Sequence, residues 1–320
     1  VKRFLLALLI ASGVPGLVGA QPPYATGRVP PTVNQFQAMK AVTVQATAGL
    51  DALGDATEKK WDSREHGWVG PVKNQGNCGS CWDFSGTFVV EAALYKSGLL
   101  KNHEPLSEQY TLNCYRNGGC SGDDNTTVLK HAQHTGLPLT ADYGPYTARE
   151  GSCNLKPSVK LYKVEDWGLA DGDVGYESVG STQKIKNAIK AHGVVGCAIA
   201  ADTAFMNSRP GTPFQGRSRS INHDVALVGW DDTLVPGKTT WILRNSWGTD
   251  WCDGGYSLIV EGANMVGTEP VFAVVKSVDP PPPPPGPEAG AFPVWLAIAL
   301  AAVAGAAAGA AVVFVLTRKS

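Results

Sequence analysis

The chain has 320 residues, enough for one or two domains. Its 27 basic and 28 acidic residues leave a net charge of −1, so it carries no footprint for nucleic acid, which is not expected among its partners. Nine residues each of Trp, Tyr and Phe supply core material and exclude a disordered chain.

In chain order, Lys2 and Arg3 precede an apolar run that ends in the small-residue stretch Val18-Gly19-Ala20. A positive start, a short apolar stretch and a small-residue exit predict a secretory signal peptide over 1–20. Residues 21–60 show no long helical pattern and read as a short pro-segment or linker, with Lys59-Lys60 a candidate processing site. The compact domain is expected over 61–278. Helical spacing is read over 81–100, 107–114, 126–135 and 182–192, the last preceded by Ser181 and followed by Gly193. Strands are read over 194–201, 223–230, 240–244, 256–260 and 271–276, with 231–240 a turn-rich stretch around Pro236-Gly237. Helices first and strands second predict an α+β fold of two lobes with a cleft between them. The prolines in 279–291 favour a polyproline II spacer. Residues 292–316 carry no charge over about 25 positions, enough for a transmembrane helix. Arg318 and Lys319 then mark 317–320 as a cytoplasmic tail. The expectation is an exported, single-pass membrane protein with its domain extracytoplasmic. A sorting tail that is later removed is the alternative for the last segment.

Seven cysteines stand at 78, 81, 114, 120, 153, 197 and 252, and an odd number in an oxidising compartment leaves one thiol over. Cys78-x-x-Cys81 has three readings. Zinc needs four ligands, yet Cys114 and Cys120 have five residues between them and His131-x-x-His134 is one residue short of a ligand pair. A redox pair belongs on a strand-to-helix turn of a βαβ unit, and no strong parallel strand precedes it. In the third reading Cys78 is structural and Cys81 reactive. Trp82, Phe84, Phe88, Val89, Ala92 and Ala93 give helical spacing from Cys81 onward, which puts its thiol in the first turn. Free amides and the helix dipole there favour a thiolate. No metal and no cofactor is expected.

Cys78-Gly79-Ser80-Cys81-Trp82 resembles the active-site signature of papain-like cysteine peptidases, and further motifs follow in that family's order. Pro71-Val72-Lys73-Asn74-Gln75-Gly76 is similar to its oxyanion-hole segment, Leu106-Ser107-Glu108-Gln109 to its second-helix start, and Cys114…Cys120-Ser121-Gly122 to its disulfide loop. Asn222-His223-Asp224 resembles the start of the histidine strand and Arg244-Asn245-Ser246-Trp247-Gly248 the asparagine segment. His223 follows Cys81 within the family's separation of roughly 130–150 residues, and Asn245 falls slightly beyond it.

The resemblance implies a two-lobed papain-like fold, with a helical N-terminal lobe, a β-barrel-like C-terminal lobe and the cleft between them. It implies a cysteine-type endopeptidase acting on polypeptides through a thioester. Cys81 would be the nucleophile, His223 the acid and base, Asn245 the group orienting His223, Trp247 the shield of that contact, and Gln75 an oxyanion donor. Gly122, Asp123, Asn222 and Trp247 would line the substrate. The implied disulfides are Cys78–Cys120 and Cys114–Cys153, which leaves Cys197 and Cys252 as a third expected pair. Three departures from the family pattern stand out. Asp83 replaces a small apolar residue and, buried near Cys81, would disfavour the thiolate. Asp123 replaces a glycine of the substrate wall and predicts either a preference for basic side chains or simply a solvated acidic loop. The short pro-segment makes the family's route to latency doubtful. The rival readings are a catalytically impaired peptide-binding module and a transpeptidase or amidase on the same fold.

Overall fold

The computed structural model describes residues 24–115 and 118–275. The expected signal peptide over 1–20, the spacer 279–291, the apolar stretch 292–316 and the tail 317–320 lie outside the described residues. Among the described residues no helix is long and apolar enough to cross a membrane.

The elements run α1 (Val33–Asp51), β1 (Lys60–Asp62), α2 (Cys81–Lys96), α3 (Glu108–Cys114), α4 (Thr126–His134) and a short α5 (Thr140–Tyr143). They continue with β2 (Asp166–Leu169), α6 (Thr182–His192), β3 (Val195–Ile199), a short α7 (Thr203–Met206), β4 (His223–Val235), β5 (Lys238–Arg244), β6 (Tyr256–Val260) and β7 (Thr268–Val274). The strands form one antiparallel sheet in the order β2-β7-β3-β4-β5-β6, with β1 added on β4. The fold is α+β with two lobes, of the papain-like kind. Trp82, Phe88, Leu94, Leu106 and Leu129 belong to one apolar cluster, centred on the helices. Trp230, Trp241, Leu243, Trp251 and Ile259 belong to a second, on the sheet.

Helix α2 runs between the two clusters and is buried along its whole length from Cys81 to Tyr95. Two glycines allow that. A Cβ on Gly86 would lie 2.6 Å from the Val128 side chain of α4, and one on Gly196 of β3 would lie 2.9 Å from Val89. Any larger residue would push α2 off its neighbours. Strand β4 is buried from His223 to Trp230, which is why it reads as a nearly unbroken apolar run.

Three parts of the fold differ from the sequence expectation. Residues 33–51 form a 19-residue helix, where no long helical pattern is legible. Its buried face is Phe36, Met39, Thr43, Thr47 and Leu50, so two threonines interrupt the apolar stripe. The Thr47 hydroxyl donates to the Leu169 carbonyl at 2.9 Å, and a Thr32–Gln35 capping box closes the helix start. Residues 231–240 extend the β4–β5 hairpin, turning at Pro236-Gly237 with Gly237 at φ +70°. Strands β1 and β2 are too short to carry a period of their own.

The structure joins Cys78 to Cys120 and Cys114 to Cys153. Cys197 and Cys252 are both free thiols, as is Cys81, so the expected third bridge is corrected. Cys197 sits on β3, and Cys252 in the turn leading into β6. Strands β4 and β5 intervene between those two. At about 4.8 Å per strand, that separation exceeds the roughly 7 Å Cα limit of a disulfide.

Candidate active site

Cys81 is the first residue of α2, and its side chain is fully buried. Backbone hydrogen bonds from Asp224, Gly27 and Trp82 reach its sulfur and favour the thiolate. Burial outweighs them and, with the nearby Asp224 carboxylate, pushes the thiol up to about 12. The helix terminus is where the sequence places it, yet the lowered pKa expected there is not what this form of the protein has. The Asp224 contact also puts the sulfur against the start of β4, next to His223.

His223 opens β4 opposite Ile199 of β3, and Asn245 directly follows β5, the strand paired to β4. The His223 Nε2–H donates to Asn245 Oδ1 at 2.8 Å. The Ser246 amide donates to the same oxygen at 2.8 Å, which fixes how the Asn245 side chain is turned. With the proton on Nε2, Nδ1 is the basic nitrogen, and it has no partner among the described residues. The Trp247 indole stacks on the imidazole with centroids 4.6 Å apart and planes 24° apart, and so closes off the His223–Asn245 contact. Burial pulls the imidazole down to about 4, with the Asn245 hydrogen bond opposing. Thiol and imidazole are therefore both neutral.

Gln75 is fully buried. Its Oε1 accepts from the Ser246 hydroxyl at 2.6 Å, and its Nε2 donates to the Cys78 carbonyl at 2.9 Å. That pairing holds the amide nitrogen towards the turn that precedes Cys81 and leaves one N–H for a ligand. Ser246 thus ties Gln75 to Asn245, a role the sequence shows only through its place between Asn245 and Trp247.

The segment Tyr24–Val29 lies across these residues. Its Tyr24 ring stacks on Trp247 at 4.7 Å, and the Ala25 carbonyl accepts from the Trp247 indole N–H at 3.0 Å. Gly27 passes so close to the Cys81 turn that a Cβ on it would lie 1.9 Å from the Gly79 carbonyl oxygen. The Gly27 carbonyl accepts from the Asp123 amide at 3.1 Å, and the Val29 amide donates back to Asp123 at 2.9 Å. Between them the Arg28 amide donates to the Asn222 carbonyl at 3.0 Å. Gly122 must be glycine twice over: its φ is +107°, and a Cβ there would meet the Gly27 carbonyl oxygen at 2.4 Å. Gly122, Asp123, Asn222 and Trp247 therefore all border one extended peptide. That peptide gives the Gly27 backbone hydrogen bond to the Cys81 sulfur and covers Trp247, which in turn covers His223.

The Arg28 side chain turns inward. Its guanidinium meets Glu269 at 2.5 Å and Asp224 at 3.4 Å, with side-chain exposures of 2 %, 5 % and 0 % in that order. Neither Asp224 nor Glu269 was singled out from the sequence. Asp224 is the charged residue inside an otherwise apolar strand run, a signal that His223 beside it overshadowed. The acidic residues that did stand out behave differently. Asp83 is buried beside Thr87, which donates to it at 3.1 Å, and burial drives its carboxyl well above the usual range, which disfavours the charged form that would oppose a Cys81 thiolate. Asp123 offers its backbone to the segment, while its carboxylate accepts from the Asp124 amide at 2.8 Å.

The sequence profile of the papain family cysteine proteases matches residues 57–274. Cysteine proteinase 1 of Zea mays is 34 % identical over 244 residues, covering 70 % of this chain and 62 % of that protein. A cathepsin L-like proteinase of Fasciola hepatica is 34 % identical over 226 residues, covering 68 % of this chain and 65 % of its own length. The chain thus spans just under two thirds of these curated relatives. Among solved structures, the cysteine protease of Carica candamarcensis in complex with E-64 superposes with a TM-score of 0.59 at 32 % identity, covering 68 % of this chain and 99 % of that one. The match over most of the compact domain and the shared two-lobed fold place this chain in the papain family of cysteine proteases.

Proposed function

We propose that the protein is a cysteine endopeptidase that cleaves polypeptides through Cys81, His223 and Asn245, and that Tyr24–Val29 keeps it latent. One observation carries this reading: Asn245 holds the imidazole Nε2–H at 2.8 Å and leaves Nδ1 unpartnered among the described residues, while the thiol that opens α2 takes a backbone hydrogen bond from Asp224, the residue after His223. With the segment displaced and water admitted, the Cys81 proton passes to Nδ1, giving a thiolate and an imidazolium. The thiolate attacks the scissile carbonyl carbon. The remaining Gln75 N–H and the Cys81 amide receive the oxygen as it becomes negative. Collapse expels the amine, which takes the proton from His223, and leaves a thioester on Cys81. His223 then draws a proton from water, which attacks the thioester; the acid departs and the thiol regains its proton.

The location is part of the same reading. The apolar start, the charge-free 292–316 and the two disulfides support an exported domain tethered to a membrane. The reading as a binding module without catalysis draws little support from Asp83, since burial raises its carboxyl and so disfavours the charge that would oppose a thiolate.

The test is hydrolysis of a mixed fluorogenic peptide set by the full chain carrying Gly27→Val, which cannot keep the segment seated. Hydrolysis that disappears with Cys81→Ala, and E-64 protection of Cys81 from iodoacetamide, are expected. Hydrolysis that survives Cys81→Ala would overturn the reading. So would the absence of both hydrolysis and protection.

A further inference from the structure

Arg28 is a cation buried between two carboxylates that belong to the cleft wall rather than to its own segment. The segment binds as a peptide, through Asp123 and Asn222 backbone groups that any chain can use, and Arg28 is the residue bridged to Asp123. Its side chain is the one that enters the protein. The pocket it fills is built for charge. Glu269 is held by the Glu177 amide, which donates to its Oε1 at 2.8 Å, while Oε2 faces the guanidinium. Asp224 presents Oδ1 to the guanidinium and has Oδ2 unpartnered among the described residues. When the segment leaves, the two carboxylates that faced its guanidinium are left open to water and to any cation on an incoming chain. Burial raises both carboxyls and Arg28 opposes the rise at each, so a cation placed between them is what favours their charged form.

We propose that the pocket formed by Asp224 and Glu269 is the side-chain recognition pocket of the protease and takes the guanidinium of an arginine in the substrate. This rests on the peptidase reading for its biological use, although the pocket is testable without it. Arg28 is then a resident copy of the group that the enzyme selects. The planar fork of arginine spans two carboxylates, which lysine, a point charge, does with less geometric fit. The acidity that the sequence ascribes to Asp123 is supplied instead by two residues on β4 and β7.

Two arms test it on the full chain with Gly27→Val. In the first, a peptide library is digested and the residue selected at each subsite is read by mass spectrometry. Arginine should be enriched over leucine at one subsite, and Glu269→Gln should lower the arginine-to-leucine ratio of kcat/KM by roughly tenfold or more. Selection of an aliphatic residue there, or a ratio unmoved by Glu269→Gln, overturns the proposal. The second arm adds Cys81→Ala and titrates N-acetyl-argininamide by calorimetry. Saturable binding that Glu269→Gln abolishes is expected, and equal binding of N-acetyl-norleucinamide overturns the proposal. Hydrolysis without arginine selection would leave the peptidase and remove the pocket. Selective argininamide binding without any Cys81-dependent hydrolysis would do the reverse.

Discussion

Among the described residues two carboxylate pairs are buried, each answered by one cation, and the origin of that cation separates them. Lys73 reaches Glu91 at 2.7 Å and Glu108 at 2.6 Å and donates to the Leu106 carbonyl at 3.1 Å. All four residues lie in the body of the helical lobe, so the cluster is permanent. Arg28 answers Asp224 and Glu269 at similar depth, but it rides on a segment held by a few backbone hydrogen bonds and one ring stack. A buried charge pair whose cation cannot leave is a structural fixture. One whose cation is on loan is a binding site with an occupant.

Removing each cation is the most direct way to break the comparison. Lys73→Met should cost about 3–5 kcal/mol, because it strands two carboxylates buried in the body of the lobe. Arg28→Met should cost less than half of that in urea unfolding, since the segment can lift and let water in. Equal losses would mean that the two clusters are alike. Gly27→Val should leave the body's stability within about 0.5 kcal/mol while uncovering Cys81, because its clash is with Gly79 across the cleft and not within the core.

The pH dependence sharpens the contrast. Burial pushes the Asp224 carboxyl up to about 7, with Arg28 opposing and Asp124, Glu269 and Asp123 adding to the rise. A carboxyl raised on folding stabilises the protein below its unfolded pKa, and that contribution is lost as pH rises through about 7. Asp224→Asn should therefore gain stability relative to the parent at pH 8 and gain little at pH 4, as read from urea midpoints. The smallest effects belong to residues outside both clusters. Asp83→Asn should change neither stability nor Cys81 labelling much, since burial already disfavours the charged form of its carboxyl. Denatured, unreduced chain should take up three labels, at Cys81, Cys197 and Cys252. A single label would restore the third disulfide.

Much of this site is legible in the sequence, because its motifs are local. The Cys78–Trp82 stretch, Asn222-His223 and Asn245-Ser246-Trp247 each carry their chemistry within a few residues, and the long helices and strands between them have clear periods. What is not legible is what depends on distant residues meeting. Arg28, Asp224 and Glu269 are unremarkable apart, and only the register of β4 and β7 with the incoming segment makes them a pocket. Helix α1 hides for a different reason: threonines at 43 and 47 take two of the five positions on its buried face, which breaks the apolar stripe. The state of Cys81 also escapes a local reading, since its position favours a thiolate and its cover forbids one.

The central claim is that Tyr24–Val29, anchored by Arg28, is a displaceable cover over a competent thiol and imidazole. It is tested most directly by the iodoacetamide labelling rate of Cys81 at pH 6, in the full parent chain and in the full chain with Gly27→Val. The variant should react about tenfold faster or more, because the parent must open before the sulfur is reached. Equal rates in the two would contradict the account, since the segment would then not govern access to the site.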